Sequence, residues 1–200
     1  MRVTLCLSAL AFALAGASAA CSEDKPEPIG TPTIDGGTDD GSSLTAPAVA
    51  CTDPADSVYG DPGPLSPDAN ARGTIVKCAT EPELTKEAMQ AKLTELGFTG
   101  KPLTSNARVY RISYRTERGD AASTPSVSSA LVYIPDTPRA AKLPIVVASR
   151  GSRGQAARCA VTKFDPELEG INGDAWRMIY PLVGYGYAVI VPDLAGYANF

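Results

Sequence analysis

Few residues in this chain have the type and spacing for chemistry. Ser149-Arg150-Gly151-Ser152-Arg153-Gly154 directly follows an apolar run, and Ser149 stands where a strand would give way to a loop. A serine so placed is a nucleophile only when a neighbouring base takes its proton. The 200 residues contain no histidine, and Val147, in Val147-Ala148-Ser149-Arg150-Gly151, is too bulky for a tight nucleophile turn. Ser149 is therefore not assigned that role. Gly151 and Gly154 let the backbone approach another group closely, or simply relieve crowding in a turn. The cysteines at 51, 78 and 159 lack the close spacing of a zinc site, and no histidine completes one. Neither a metal nor a cofactor is expected.

The elements that position the 149–154 segment are clearer than its chemistry. Ile145-Val146-Val147-Ala148 after Pro144, and Tyr187-Ala188-Val189-Ile190-Val191 before Pro192-Asp193, are short β-branched runs without polar alternation. Such runs suit strands buried on both faces, as in a parallel sheet. The intervening segment is long enough for a loop and the crossover helix that a parallel pair requires. The helix is expected over Asn172–Gly184, with Trp176, Ile179, Leu182 and Val183 as its apolar stripe and Asn172 or Asp174 as its cap. Pro181 should kink it or end it early.

Upstream, residues 51–72 hold four prolines and are expected to wrap the surface without regular structure. Gly73–Cys78 reads as a short strand. A helix follows from about Pro82 or Thr85 to Leu96, with Leu84, Ala88, Met89, Leu93 and Leu96 on one face. Its start stays open, because Thr80 with Glu83 would make a capping box while Thr85 is a competing cap. Asn106 to Thr116 alternates Val109, Arg111, Ser113 and Arg115 with Tyr110, Ile112 and Tyr114, the pattern of a half-exposed strand. Val127 to Ile134 is another strand, ended by Pro135. The expected fold class is α/β, a mixed sheet with an antiparallel start followed by a parallel βαβ unit.

Residues 1–20 read as an export signal, with Arg2, an apolar run from Leu5 to Leu14, and small residues at the exit. Ala17-Ser18-Ala19 suits signal peptidase. The alternative is lipid attachment at Cys21, although an aliphatic residue is usual where Ser18 stands. The acidic, Gly/Pro/Thr-rich stretch over 21–50 offers little to bury and reads as a disordered tether. The chain is thus expected to be exported, as an outer-membrane lipoprotein or a secreted protein, with 51–200 as its folded part and Cys21 as a membrane tether. Export makes disulfides available. The preferred pairing is Cys51 with Cys78, tying the end of the tether to the first strand, which leaves Cys159 over. A net charge of −4, without a basic patch interleaved with aromatics, disfavours nucleic-acid binding.

In its order of parts the chain resembles the N-terminal half of an α/β-hydrolase, most of all the secretory-lipase group and related exported serine esterases. Four stretches carry the resemblance: Arg72-Gly73-Thr74-Ile75; Ala130-Leu131-Val132-Tyr133-Ile134-Pro135 after a Tyr-rich strand; Pro144 to Ser152 with Cys159-Ala160 beyond; and Gly186 to Tyr197, the most specific. Together they span about residues 72–200. The resemblance implies that Gly151 and Ser152 supply backbone N–H groups to an oxyanion hole. Loss of one such donor costs roughly 3–4 kcal/mol of barrier. Arg150 stands where the family usually has histidine, and Asp193 matches an aspartate read as a turn former. The family's G-x-S-x-G serine, triad acid and histidine do not occur in these residues.

An incomplete α/β-hydrolase fold is therefore expected: the N-terminal portion of a carboxylic-ester hydrolase acting on ester or lipid substrates, inactive alone. The other reading is a non-catalytic, surface-tethered binding or pseudoenzyme domain of the same ancestry. Either way the Ile145–Ala148 strand lacks a neighbour on one side. Each Val or Ile so uncovered forgoes roughly 1.5–3 kcal/mol, so the isolated chain is expected to be unstable or to aggregate.

Overall fold

The computed structural model describes residues 50–149, 160–163 and 173–195. Five strands form one mixed sheet: β1 (Ile75–Leu84), β2 (Ala107–Glu117), β3 (Pro125–Pro135), β4 (Ile145–Val147) and β5 (Ala188–Pro192). Their order is β1-β2-β3-β5-β4. β1, β2, β3 and β5 pair antiparallel in turn, and β4 pairs parallel with β5. Two helices join them, α1 (Lys86–Glu95) and α2 (Gly173–Gly184). The α2 crossover links the parallel pair as a βαβ unit. Short 3-10 turns lie at Ala55–Tyr59, Ala69–Ala71 and Val161–Lys163.

β1 outruns the expected Gly73–Cys78 and takes in Thr80, Pro82 and Glu83, which removes Thr80 as a helix cap. Pro82 cannot donate to a ladder, but β1 is an edge strand whose register shifts between Glu81 and Leu84, the setting in which a strand tolerates proline. Thr85 caps α1 instead, its Oγ1 accepting from the Ala88 N–H at 3.2 Å. Of the expected apolar face, Met89 and Leu93 are fully buried, Leu84 at the end of β1 and Leu96 just past α1 pack partly against the core, and Ala88 faces out.

Pro181 does not end α2, which continues to Gly184. The ring removes one helical donor, yet Trp176, Ile179, Tyr180 and Val183 are buried on the sheet and hold the last turn in place. Tyr185 N–H closes it on the Pro181 carbonyl at 3.0 Å. Gly186 then turns the chain into β5 with φ +88, and a Cβ there would lie 2.5 Å from the Arg139 nitrogen. Only glycine fits both demands.

Strand register sorts the side chains into faces. Val109, Tyr133, Val189 and Val146 stand in one row, with Arg111, Leu131 and Val191 in the next. Val109, Tyr133, Val189, Leu131 and Val191 share a core with Met89, Leu93, Trp176, Ile179 and Val183, so α1 and α2 cover this face. β2 was expected to be half exposed; its residues are buried or partly covered, and none is fully exposed. It lies inside the sheet, and Arg111 is accommodated there by pairing with Glu81. β4 departs in the other direction. Its expected burial on both faces is not realised: Ile145 is 63% and Val147 64% exposed, because β4 ends the sheet order with β5 as its partner. Their register partners, Ala188 and Ile190, place them on the face opposite α2.

Candidate functional site

In an open sheet with parallel strands, ligands collect outside the carboxyl ends of those strands. Here β4 leads into Ala148-Ser149 and β5 into Asp193-Leu194-Ala195. Ala148 is buried and its N–H donates to the Ile190 carbonyl at 2.8 Å, continuing the parallel ladder one residue past β4. Ser149 is exposed. Gly151 and Ser152, the oxyanion-hole candidates, lie outside the described residues, as do Arg150, Cys159 and the lipidation candidate Cys21. The chain is described again at Ala160, and both Ala160 and Thr162 are completely buried.

A buried polar cluster fixes the Val161–Lys163 turn. The Asp193 carboxylate accepts from the Thr162 N–H at 3.2 Å, from the Ser129 hydroxyl at 2.6 Å and from the Thr162 hydroxyl. Its backbone pairs with β3 as well, the N–H donating to the Ser129 carbonyl at 2.8 Å and the carbonyl accepting from Ser128 Oγ at 2.6 Å. Among the described residues these bonds tie β5 to β3 and to the turn, a larger role than the local turn former read from the sequence.

The cluster continues through Thr162. Tyr59 Oη donates to Thr162 Oγ1 at 2.9 Å and accepts from Arg111 Nη1 at 2.6 Å. Arg111 Nη1 also donates to the Thr162 carbonyl at 2.6 Å, and Nε to Glu81 Oε1 at 2.5 Å. Burial pushes the Tyr59 phenol up from its ordinary value, outweighing the Thr162 and Arg111 contacts that favour its ionised form. Burial acts to lower the Arg111 pKa, but Tyr59 and Glu81 more than offset it, and the net shift is upward. The cluster is therefore a charged Arg111–Glu81 pair donating into a neutral phenol. Ser129, Thr162 and Asp193 are buried, so it positions backbone and presents no nucleophile to solvent.

Cys51 and Cys78 are joined by a disulfide. Around it, Thr52 bridges Ala79, Asp53 N–H donates to the Cys78 carbonyl at 3.0 Å, and Cys78 N–H donates to Asp53 Oδ2 at 2.7 Å. Residues 51–60 thus lie against β1 as an ordered strap instead of wrapping loosely. Among the described residues no group of three or more His, Cys, Asp or Glu could hold a metal ion. The sequence reading missed the whole Glu81–Arg111–Tyr59–Thr162–Asp193–Ser129 cluster. Its one available signal was Arg111, a charge sharing a strand face with Val109 and Ser113.

No family model and no curated protein matches the chain. Among solved structures it is similar to a rice cell wall degrading esterase from Xanthomonas oryzae, at 20% identity and a TM-score of 0.43, over 64% of this chain and 32% of that one. It is also similar to lipase A of Candida antarctica in its closed state, at 21% identity and a TM-score of 0.44, over 70% of this chain and 30% of that one. A hydrolase of Legionella pneumophila shows 19% identity and a TM-score of 0.45, over 60% and 30%. The chain spans about a third of the length of these structures.

Proposed function

We propose that the chain is the N-terminal portion of an exported serine carboxylic-ester hydrolase of the α/β-hydrolase class. The observation that carries this reading is the parallel β4–α2–β5 unit. Its strand β4 runs out, at Ala148-Ser149, into the Arg150-Gly151-Ser152 segment whose sequence resembles an oxyanion loop. In this reading the backbone N–H groups of Gly151 and Ser152 receive the negative charge that develops on the ester carbonyl oxygen during acyl transfer. Such donors act through position, before the reaction begins, which is why one is worth roughly 3–4 kcal/mol. The nucleophile, acid and base come from residues that follow Phe200, and the substrate is an ester or lipid. Residues 1–20 direct export, Cys21 carries a lipid, and 22–50 hold the folded part off the membrane.

The test is to read the frame past the codon for Phe200 and assay the complete product. A G-x-S-x-G motif, a later histidine, and turnover of a p-nitrophenyl ester that is lost on changing that serine to alanine support the reading. A stop codon directly after Phe200 overturns it. The other reading is a surface-tethered domain that kept the fold without the chemistry, and a continued frame lacking that serine and histidine supports it. Growth of the protein in labelled palmitate tests the tether in either case: label that disappears in Cys21→Ser places the lipid there.

A further inference from the structure

We propose that residues 51–60 form a disulfide-anchored strap whose Tyr59 governs the order of the Val161–Lys163 turn, so that reduction of Cys51–Cys78 loosens that turn while the sheet stays folded. The proposal stands on the geometry of the strap and does not rest on the esterase reading.

The strap grips at two places. At its start the disulfide ties Cys51 to β1, helped by Thr80 Oγ1 donating to the Cys51 carbonyl at 2.9 Å and by the Asp53 bonds to Cys78. Thr52 and Asp53 are exposed, so water competes for their bonds and the covalent link is the firm part of the anchor. At its end Val58 is buried and Tyr59 reaches the turn. The phenol donates to Thr162 Oγ1, shares Arg111 with the Thr162 carbonyl, and lays its ring 4.6 Å from Lys163 Nζ and 5.6 Å from the Arg111 guanidinium.

The turn has little of its own to hold it. Its described internal bond is Lys163 N–H to the Ala160 carbonyl at 3.0 Å, and three residues of 3-10 helix are not a stable unit alone. Its order comes from Asp193 on one side, from Tyr59 and Arg111 on the other, and from Val161 packed against the core. Tyr59 is linked to β1 through residues 60–74 ahead of it and, by a shorter path, through residues 52–58 back to the Cys51–Cys78 bond, so opening that bond leaves the strap end on the longer tether alone. β2 and β3 pair through eleven register positions and share the α1/α2 core, so they stay folded when the strap loosens.

The redox step balances with a dithiol as reductant. Its two thiols transfer two electrons and two protons to the Cys51–Cys78 disulfide, the protein S–S bond breaks, and the dithiol closes to its own disulfide.

The test follows amide hydrogen exchange in the full chain at high dilution, oxidised and reduced with dithiothreitol, in the parent and in Tyr59→Phe. Reduction is expected to speed exchange at Thr162 and Lys163 by roughly tenfold, while β2 and β3 amides, which open only with the whole fold, stay protected and slower than the turn. Oxidised Tyr59→Phe should show a similar acceleration, with no further gain on reduction. Cys51→Ser with Cys78→Ser should copy the reduced parent and excludes effects at other cysteines. The proposal is overturned if Thr162 and Lys163 exchange at the same rate after reduction, or if reduction accelerates them equally in Tyr59→Phe. Exchange across β2 and β3 at the rates of an unfolded chain on reduction, or failure of the double-serine chain to fold, overturns it as well, since the strap then supports the whole sheet.

Discussion

Ile145→Lys combined with Val147→Lys should make the isolated chain more soluble at little cost in stability. Both side chains stand on β4 at the end of the sheet, on the face away from α2, and are nearly two-thirds exposed. A Val or Ile side chain contributes about 1.5–3 kcal/mol when fully buried. With about a third of each surface covered, the two together contribute roughly 1–2 kcal/mol in this chain. The same residues present an apolar strand edge, a template for pairing between chains that natural edge strands blunt with lysine. Removing them should therefore lower association far more than it lowers folding free energy.

Sedimentation velocity over a concentration series reads the association, and urea unfolding at high dilution reads the stability. The parent chain should form large species as concentration rises, and the double variant should stay monomeric over the same range. Its unfolding free energy should fall by no more than about 2 kcal/mol at unchanged urea slope. Val189→Ala is the matched control. Val189 is fully buried in β5, so truncation should cost about 2 kcal/mol or more and leave association undiminished. The reasoning is refuted if the parent is monomeric throughout, or if the double-lysine chain associates as the parent does. A loss above about 4 kcal/mol would show instead that β4 is covered in solution.

Three further outcomes follow from the polar cluster and the strap. Asp193→Ala removes the acceptor for the Ser129 hydroxyl and for the Thr162 N–H and hydroxyl, and should destabilise by about 3–5 kcal/mol; Asp193→Asn, which keeps one acceptor oxygen, should cost about half as much in urea unfolding. Cys51→Ser with Cys78→Ser opens a loop of 27 residues and should lower the unfolding free energy by about 3.5 kcal/mol on the chain-entropy estimate. Tyr59 has a folded-state pKa above its ordinary value of 10.0, so its contribution is complete below that pH and is lost as pH rises from there through the folded value. Stability should decline in that alkaline window more steeply in the parent than in Tyr59→Phe, and equal slopes would remove the phenol from the account.

The parallel pair was legible because its signal is local. Ile145–Ala148 and Tyr187–Val191 are each continuous apolar runs, and the residues between them satisfy the length a crossover needs, so strand, helix and direction follow without any distant partner. The limits of β1 were not legible for the opposite reason. Pro82 and the Thr80/Glu83 pair argue for a helix start when read locally, and only an edge position with a register shift lets a strand pass through them. Burial failed in the same way on both sides. Alternation in β2 implied a solvated face, and uniform hydrophobicity in β4 implied two buried ones, yet exposure is set by place in the sheet order, which periodicity does not encode.

The polar cluster shows what kind of information lies beyond such a reading. Glu81, Arg111 and Ser129 are unremarkable in sequence, each on a different strand, Asp193 directly follows a fourth, and Tyr59 and Thr162 lie on turns 103 residues apart. What selects them is register: the row Ser113–Ser129 abuts the row Arg111–Leu131, so β3 presents a hydroxyl to Asp193 one step from where β2 presents a guanidinium. A largely covered arginine needs acceptors from the protein, and the nearest ones come from β1, the strap and the turn. The same chain of bonds therefore closes the sheet's polar row and fixes the turn at 161–163, past the far end of the segment that begins at Ser149. Perturbing Arg111 should loosen that turn and β1 together, a pairing of effects that no contact local to either could produce.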